Sequence, residues 1–163
     1  MTNKLKACVV GTPIEHSLSP IIHNAAYVHM NLNWEYSREE VSIADFDKRI
    51  AGLMSDGYVG FNITMPCKEA AYRFCDFVNG SAKRLKSVNT IVLRGGITHG
   101  YSTDGDGFVN FFIDEKIQIS GRKIAVIGSG GAASSICDAL YNAGGKVTIC
   151  ARNIETANEI CEI

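Results

Sequence analysis

Four short polar motifs carry side chains that could bind a small polar ligand. They are residues 17–20, 62–68, 87–90 and 102–105, which read Ser-Leu-Ser-Pro, Asn-Ile-Thr-Met-Pro-Cys-Lys, Ser-Val-Asn-Thr and Ser-Thr-Asp-Gly. Each motif falls near a predicted strand end or in a turn, where α/β proteins usually build ligand sites. Hydroxyls and amides both donate and accept hydrogen bonds, so this set suits a small polyhydroxylated acid in a shielded pocket.

Each of these residues also has a structural interpretation. Ser19 is a good helix N-cap because a proline follows it at the first helical position. Asn62 and Thr64 could satisfy backbone groups at a strand end, Asn89 could be a turn residue, and Asp104 could cap a helix. The occurrence of all four motifs in one chain, in this order, favours the ligand-binding interpretation.

A glycine-rich turn follows an apolar strand predicted at residues 123–127. Gly128, Gly130 and Gly131 lie where a strand-turn-helix unit approaches a pyrophosphate, and the N–H groups at the helix start favour an anion. The spacing departs from the usual Gly-x-Gly-x-x-Gly, because position 133 is Ala. The motif therefore depends on its flanking strands for its meaning.

Arg152 follows the next predicted strand, residues 146–150. An acidic residue here would bind a ribose hydroxyl and favour NAD, whereas an arginine can bind the 2′-phosphate of NADP. The alternative is a solvated surface arginine.

The elements that must hold these motifs alternate between strand and helix, which predicts an α/β fold. A hairpin is predicted with its turn at Gly95 and Gly96, and a helix is predicted to begin at Pro66 and to carry Lys68. The sequence texture changes near residue 102, so we predict two domains, residues 1–101 and 102–163. Strands are predicted at residues 6–10, 34–37, 58–64, 88–93, 97–101, 123–127 and 146–150.

Composition excludes several classes of protein. The 163 residues carry a formal net charge of −1, and their Lys and Arg residues are scattered, which indicates no nucleic-acid or membrane surface. We find no signal peptide pattern and no apolar stretch near the ~20 residues of a membrane span. The four histidines show no metal-ligand spacing, and the six cysteines form no Cys-x-x-Cys pair, which is typical of reduced thiols in a cytoplasmic protein.

In this order and spacing, the motifs resemble the shikimate dehydrogenase family over essentially the whole chain. The resemblance lies in residues 11–20, 62–68, 88–90, 103–105 and 128–133. It implies an N-terminal α/β domain that binds shikimate, followed by the first part of a Rossmann-type domain that binds NADP. The implied activity is the NADP-dependent, reversible reduction of 3-dehydroshikimate to shikimate in aromatic amino acid biosynthesis.

The resemblance also implies roles for individual residues. Lys68 and Asp104 would be the catalytic pair. The residues that would hold shikimate are Ser17, Ser19, Asn62, Thr64 and Asn89. The residues that would hold the NADP pyrophosphate are Gly128, Gly130, Gly131 and Ala132, and Arg152 would bind the 2′-phosphate.

Two departures from the family leave alternatives open. Family members run longer, and their later segments supply the second half of the nucleotide domain, so we expect this chain to be truncated. It could then act only as a shikimate-binding module, or form a homodimer or reassemble through an exposed edge strand at residues 147–149. An NAD-dependent enzyme that accepts quinate is the nearest catalytic alternative. Cys67, where relatives often carry an aromatic residue or His, could be a reactive thiol beside Lys68 or an inert buried one.

Overall fold

The computed structural model describes residues 4–163, which form two compact units. The first unit extends through Asn79 and resumes at Lys86–Tyr101, and the second comprises Gly80–Leu85 and Ser102–Ile163. The chain contains fifteen helices and strands within the described residues. In order they are β1 (Leu5–Gly11), α1 (Ser19–His29), β2 (Trp34–Glu40), α2 (Phe46–Ser55), β3 (Tyr58–Ile63), α3 (Lys68–Phe74), β4 (Phe77–Val78), α4 (Gly80–Leu85), β5 (Thr90–Arg94), β6 (Ile97–Tyr101), α5 (Asp104–Asp114), β7 (Lys123–Ile127), α6 (Gly131–Asn142), β8 (Lys146–Cys150) and α7 (Ile154–Cys161).

The first unit is built on a six-stranded mixed sheet with the order β2-β1-β3-β5-β6-β4. Strands β1, β2 and β3 run parallel, whereas β5 is antiparallel to β3 and pairs Thr90 with Asn62. The start of β5 therefore lies at the same edge as the carboxyl end of β3. Phe61 and Ile91 are fully buried beside this polar pair, and Phe46 and Ile50 of α2 are buried in the same unit.

The predicted hairpin is confirmed. Gly95 and Gly96 both have positive φ, +58° and +84°, which the tight connection between β5 and β6 requires and glycine adopts at no steric cost. Strand β4 was not predicted, because two residues carry too little periodicity to be recognised, and it pairs parallel with β6.

The second unit contains a two-stranded parallel sheet, β7 with β8, and helices α4 to α7. The expectation that β7 is buried on both faces is wrong for the described residues. Ile124 and Val126 are half-buried, and Ile127 is 88% exposed. Alternate residues face the neighbouring helices while the others face away.

Residues 80–85, which the sequence assigned to the first domain, belong to the second unit. The Ser81 hydroxyl donates to the backbone oxygen of Ser102 at 3.1 Å. Arg84 donates two parallel hydrogen bonds to the Asp138 carboxylate, at 3.1 and 3.0 Å. A bidentate pair of this kind fixes orientation as well as position. No helix within residues 4–163 has both the length and the apolar character that a bilayer crossing requires.

Gly11 lies where the end of β1 touches the loop after β3. A Cβ atom at this position would meet Thr64 Cγ2 at 2.5 Å and the backbone oxygen of Met65 at 2.6 Å. We expect Gly11→Ala to lower the free energy of unfolding by about 1–3 kcal/mol, as overpacking does, measured by urea denaturation.

Gly52→Ala in α2 is the matched control, because a Cβ there meets nothing within 4 Å. It should raise the free energy of unfolding by roughly 0.5–1 kcal/mol, since alanine favours helix. Equal effects of the two variants would contradict the close contact at Gly11.

Candidate functional site

A chain of hydrogen bonds crosses the first unit at the carboxyl end of β3. The Tyr36 hydroxyl donates to Asn62 Oδ1 at 2.6 Å, and Asn62 Nδ2 donates to Thr90 Oγ1 at 3.3 Å. The Thr90 hydroxyl in turn donates to Asn89 Oδ1 at 3.0 Å. We call these four side chains the amide relay. The relay brings together two predicted site residues, Asn62 and Asn89, and every donor in it points the same way along the chain.

The sequence did not predict Tyr36 or Thr90 as site residues. Thr90 is one half of the register pair with Asn62, so the predicted strands, once paired, could have indicated it. Tyr36 lies two strands away from Asn62, on β2, with β1 between them. The alternating pattern of β2 predicts that Tyr36 faces the core, but nothing local indicates its hydrogen-bond partner.

The Tyr36 side chain is held from several directions. Its residue is 4% exposed, and burial raises the pKa of its phenol, which therefore stays protonated and able to donate. The His23 ring stacks on it with centroids 4.2 Å apart and planes 6° from parallel. The Asn24 side chain bonds both the N–H and the oxygen of the Tyr36 backbone at 2.9 Å.

His23 is the neutral partner in this stack. Burial lowers the pKa of His23 from its ordinary value, so its imidazole stays uncharged near neutral pH. An uncharged ring against an uncharged phenol leaves the phenol proton directed by its hydrogen bond to Asn62.

Ser17 and Ser19 lie together at the start of α1. The Ser17 hydroxyl lies 3.2 Å from Ser19 Oγ and accepts from the Ser19 backbone N–H at 3.3 Å. Arg38 donates two hydrogen bonds to the Ser17 backbone oxygen, at 3.0 and 2.6 Å. The expectation that Ser19 is the N-cap is wrong, because α1 begins at Ser19 with Leu18 as the preceding residue. The Ser19 hydroxyl is thus paired with Ser17 instead of the helix backbone.

The loop between β3 and α3 carries Thr64 and Lys68. The Thr64 N–H donates to the backbone oxygen of Val10 at 2.9 Å, and the Cys67 N–H donates to that of Thr64 at 2.9 Å. The Val88 N–H donates to the Lys68 oxygen at 3.0 Å. The backbone therefore ties this loop to β1 and to the segment before β5. Helix α3 begins at Lys68, two residues after the predicted start, because residues 64–67 form a turn first.

Cys67 is inert in this environment. It is fully buried, and its thiol donates to the backbone oxygen of Val41 at 3.4 Å. Burial raises the pKa of the thiol, which disfavours the thiolate. The structure therefore contradicts the reactive-thiol alternative.

The glycine-rich turn of the second unit has the geometry that a pyrophosphate needs. Gly128 has φ of +121°, and its N–H donates to the Cys150 oxygen at 2.8 Å, which joins the ends of β7 and β8. A Cβ built on Gly128, Gly130 or Gly131 meets nothing within 4 Å, so the turn is open to a close ligand. The N–H groups of α6, which is 12 residues long, begin here. The predicted residues thus fit a dinucleotide phosphate group.

Arg152 and Ala132 flank this turn. Arg152 is exposed between β8 and α7, and Ala132 is exposed in the first turn of α6. The Asn153 side chain caps α7 by accepting from the Thr156 N–H at 3.2 Å, which fixes the segment that carries Arg152. The Thr156 hydroxyl lies 2.6 Å from Ser129 Oγ in the glycine-rich turn. An exposed guanidinium on a fixed segment suits the 2′-phosphate of NADP.

The two predicted catalytic residues belong to different units. Lys68 is half-buried at the start of α3 in the first unit, and Asp104 is half-buried at the start of α5 in the second. Within residues 4–163, no group of three or more His, Cys, Asp or Glu side chains is arranged to hold a metal ion.

Comparison with known proteins relates this geometry to one group of enzymes. Residues 9–91 match the family described as shikimate dehydrogenase substrate binding domain. The shikimate dehydrogenase (NADP(+)) of Caldanaerobacter subterraneus subsp. tengcongensis is 37% identical over 155 residues, which are 94% of this chain and 55% of that protein. The chain thus spans little more than half the length of the curated relatives it matches.

Solved structures agree. The crystal structure of shikimate dehydrogenase from Aquifex aeolicus has a TM-score of 0.93 at 32% identity, covering 99% of this chain and 62% of that one. The shikimate dehydrogenase from Thermus thermophilus, in complex with NADP(H) and shikimate, has a TM-score of 0.90 at 32% identity, covering 97% of this chain and 60% of that one.

Proposed function

This chain belongs to the shikimate dehydrogenase family, and from that premise we propose that it takes part in the NADP-dependent, reversible reduction of 3-dehydroshikimate to shikimate. The product feeds aromatic amino acid and chorismate biosynthesis. One observation carries the proposal: the hydrogen-bonded Asn62, Thr90 and Asn89 lie inside the matched segment, residues 9–91. Their amides and hydroxyl are the groups that a polyhydroxylated acid requires.

In this proposal the first unit binds the substrate. Amide and hydroxyl groups hold the carboxylate and hydroxyls of shikimate through hydrogen bonds that both donate and accept. The residues assigned to this role are Ser17, Ser19, Asn62, Thr64 and Asn89. Contacts with the backbone of β1 and with Arg38 fix two of these groups before any ligand arrives, which lowers the entropy cost of binding.

Lys68 and Asp104 are assigned the chemistry. NADPH, when bound, supplies the hydride that reduces the ketone carbon. The ketone oxygen then develops negative charge, and the Lys68 ammonium stabilises it and donates a proton to it. In the reverse direction the Lys68 amine accepts the proton of the hydroxyl. The Asp104 carboxylate complements the positive charge of Lys68 and holds the reacting groups in line.

The second unit is assigned the nucleotide. Backbone N–H groups at Gly128, Gly130, Gly131 and Ala132 hold the pyrophosphate, and the Arg152 guanidinium holds the 2′-phosphate through charge-assisted hydrogen bonds. The open space at the three glycines and the fixed segment at Asn153 support this assignment.

The open edges of the β7–β8 sheet support a partner for the second unit. Within the described residues each strand pairs only with the other, and unpaired edges are templates for another strand. A second copy of the chain, or a separate segment that completes the sheet, would occupy them. We expect the solution mass, measured by light scattering at several concentrations, to exceed that of a 17.7 kDa monomer as concentration rises. A constant monomer mass would contradict a homodimer.

A cytoplasmic location fits the cysteines. All six are free in the described residues, and Cys8, Cys67 and Cys137 are buried. Free thiols persist in a reducing compartment.

Lys68→Ala tests the catalytic assignment. We expect NADP reduction with shikimate to fall about 10²–10⁴-fold in kcat, as loss of a general acid–base does, while shikimate binding persists. Lys48→Ala is the matched control, because Lys48 is an exposed lysine on α2 of the same unit. Turnover that is equal in the two variants would remove Lys68 from the chemistry.

Arg152→Ala tests the cofactor assignment. We expect the KM for NADP to rise roughly 10–100-fold, the equivalent of lost charge-assisted hydrogen bonds, while the KM for NAD stays unchanged. Arg122→Ala, at an exposed arginine of the same unit, should leave both values unchanged. A wild-type preference for NAD would instead favour the NAD-dependent alternative.

A further inference from the structure

We propose that Tyr36 is a positioning residue of the substrate site: its hydroxyl fixes the orientation of the Asn62 amide and thereby makes the amide relay present donors to the ligand. The inference rests on the proposed function, because it concerns how that site reads a polyhydroxylated acid. Tyr36 itself is assigned no contact with the ligand.

The orientation of Asn62 depends on its neighbours. An asparagine amide has an oxygen and a nitrogen of nearly equal size, so hydrogen-bond partners decide which way it points. Here the Tyr36 hydroxyl donates to the oxygen at 2.6 Å, and the nitrogen donates to Thr90 at 3.3 Å. The contact to Tyr36 is the shorter of the two, which makes it the stronger constraint.

Reversing the amide would disturb the whole relay. Tyr36 would change from donor to acceptor, and its buried proton would need a new acceptor at a cost of about 1–3 kcal/mol. Thr90 would have to donate to the Asn62 oxygen, and could then no longer donate to Asn89 Oδ1 at 3.0 Å. The Tyr36 proton thus selects one of two internally consistent directions of hydrogen bonding.

The direction decides what the ligand meets. The Asn62 nitrogen carries two protons, of which one is directed to Thr90, so the other is available to an oxygen of the ligand. In the reversed amide the same position would offer a carbonyl lone pair. A carboxylate can only accept, so it would meet repulsion there. Tyr36 therefore favours acceptor oxygens at this point of the site.

The ring of Tyr36 is positioned without its hydroxyl. It packs in a buried cluster with Ala7, Val9 and Ile14, and it stacks on His23. The two hydrogen bonds from Asn24 hold its backbone. A phenylalanine should therefore occupy the same place and remove only the donor.

Tyr36→Phe is compared with Tyr58→Phe, a matched control on β3. Tyr58 also loses a hydroxyl hydrogen bond, to Ser37 at 3.1 Å, but lies outside the relay. We expect Tyr36→Phe to weaken shikimate binding, measured by calorimetry, about 10-fold or more, and Tyr58→Phe to leave it unchanged. The side-chain amide signals of Asn62, assigned by loss in Asn62→Asp, should shift in ¹H–¹⁵N spectra of Tyr36→Phe alone.

The outcomes separate the two claims. If the wild-type chain binds no shikimate, the proposed function fails, whereas the Asn62 signals still report whether Tyr36 positions the amide. If shikimate binds and Tyr36→Phe changes neither affinity nor the Asn62 signals, the inference is overturned. Should Tyr36→Phe not fold, replacement of Tyr36 by 3-fluorotyrosine keeps the hydroxyl and strengthens it as a donor. Asn62 amide signals that then stay unchanged would also overturn the inference.

Discussion

The antiparallel pairing of β5 with β3 is the constraint on which the candidate site depends. It places Thr90 opposite Asn62 and Ile91 opposite Phe61, so polar and apolar pairs alternate along the two strands. Phe61 and Ile91 are 2% and 0% exposed. A slip of one residue would send these two side chains to the polar face and bring Asn62 and Thr90 into the core. Burial of the apolar pair thereby fixes the register that lines up the amides.

Much of this arrangement follows from the sequence, because its causes are local. The hairpin is predictable from Gly95 and Gly96, since few other residues adopt positive φ at low cost. The glycine-rich turn is predictable because a strand, three glycines and a helix occur in a row. Pairing of Asn62 with Asn89 through Thr90 needs only the further knowledge that β5 lies beside β3.

The remainder depends on tertiary contacts that leave no local signal. Tyr36 reaches Asn62 across β1, and no spacing in the sequence relates residues 26 positions apart on strands that are not neighbours. Ser19 has every local mark of an N-cap, yet its hydroxyl pairs with Ser17. Cys67 follows a turn and precedes a lysine, which indicates reactivity, but its burial decides the opposite. In each case the environment, and not the residue type, sets the chemistry.

Helix α4 belongs to one unit while the residues on both sides of it belong to the other, so the polypeptide passes between the units three times. The second unit is consequently discontinuous in sequence, and no single cut in the gene separates the two. A polypeptide ending at residue 101 would carry α4 away from Asp138, the partner of Arg84, and a polypeptide starting at residue 102 would lack that helix altogether. Isolating either unit intact would instead require a circular permutation or a graft that moves residues 80–85 to the chain that contacts them.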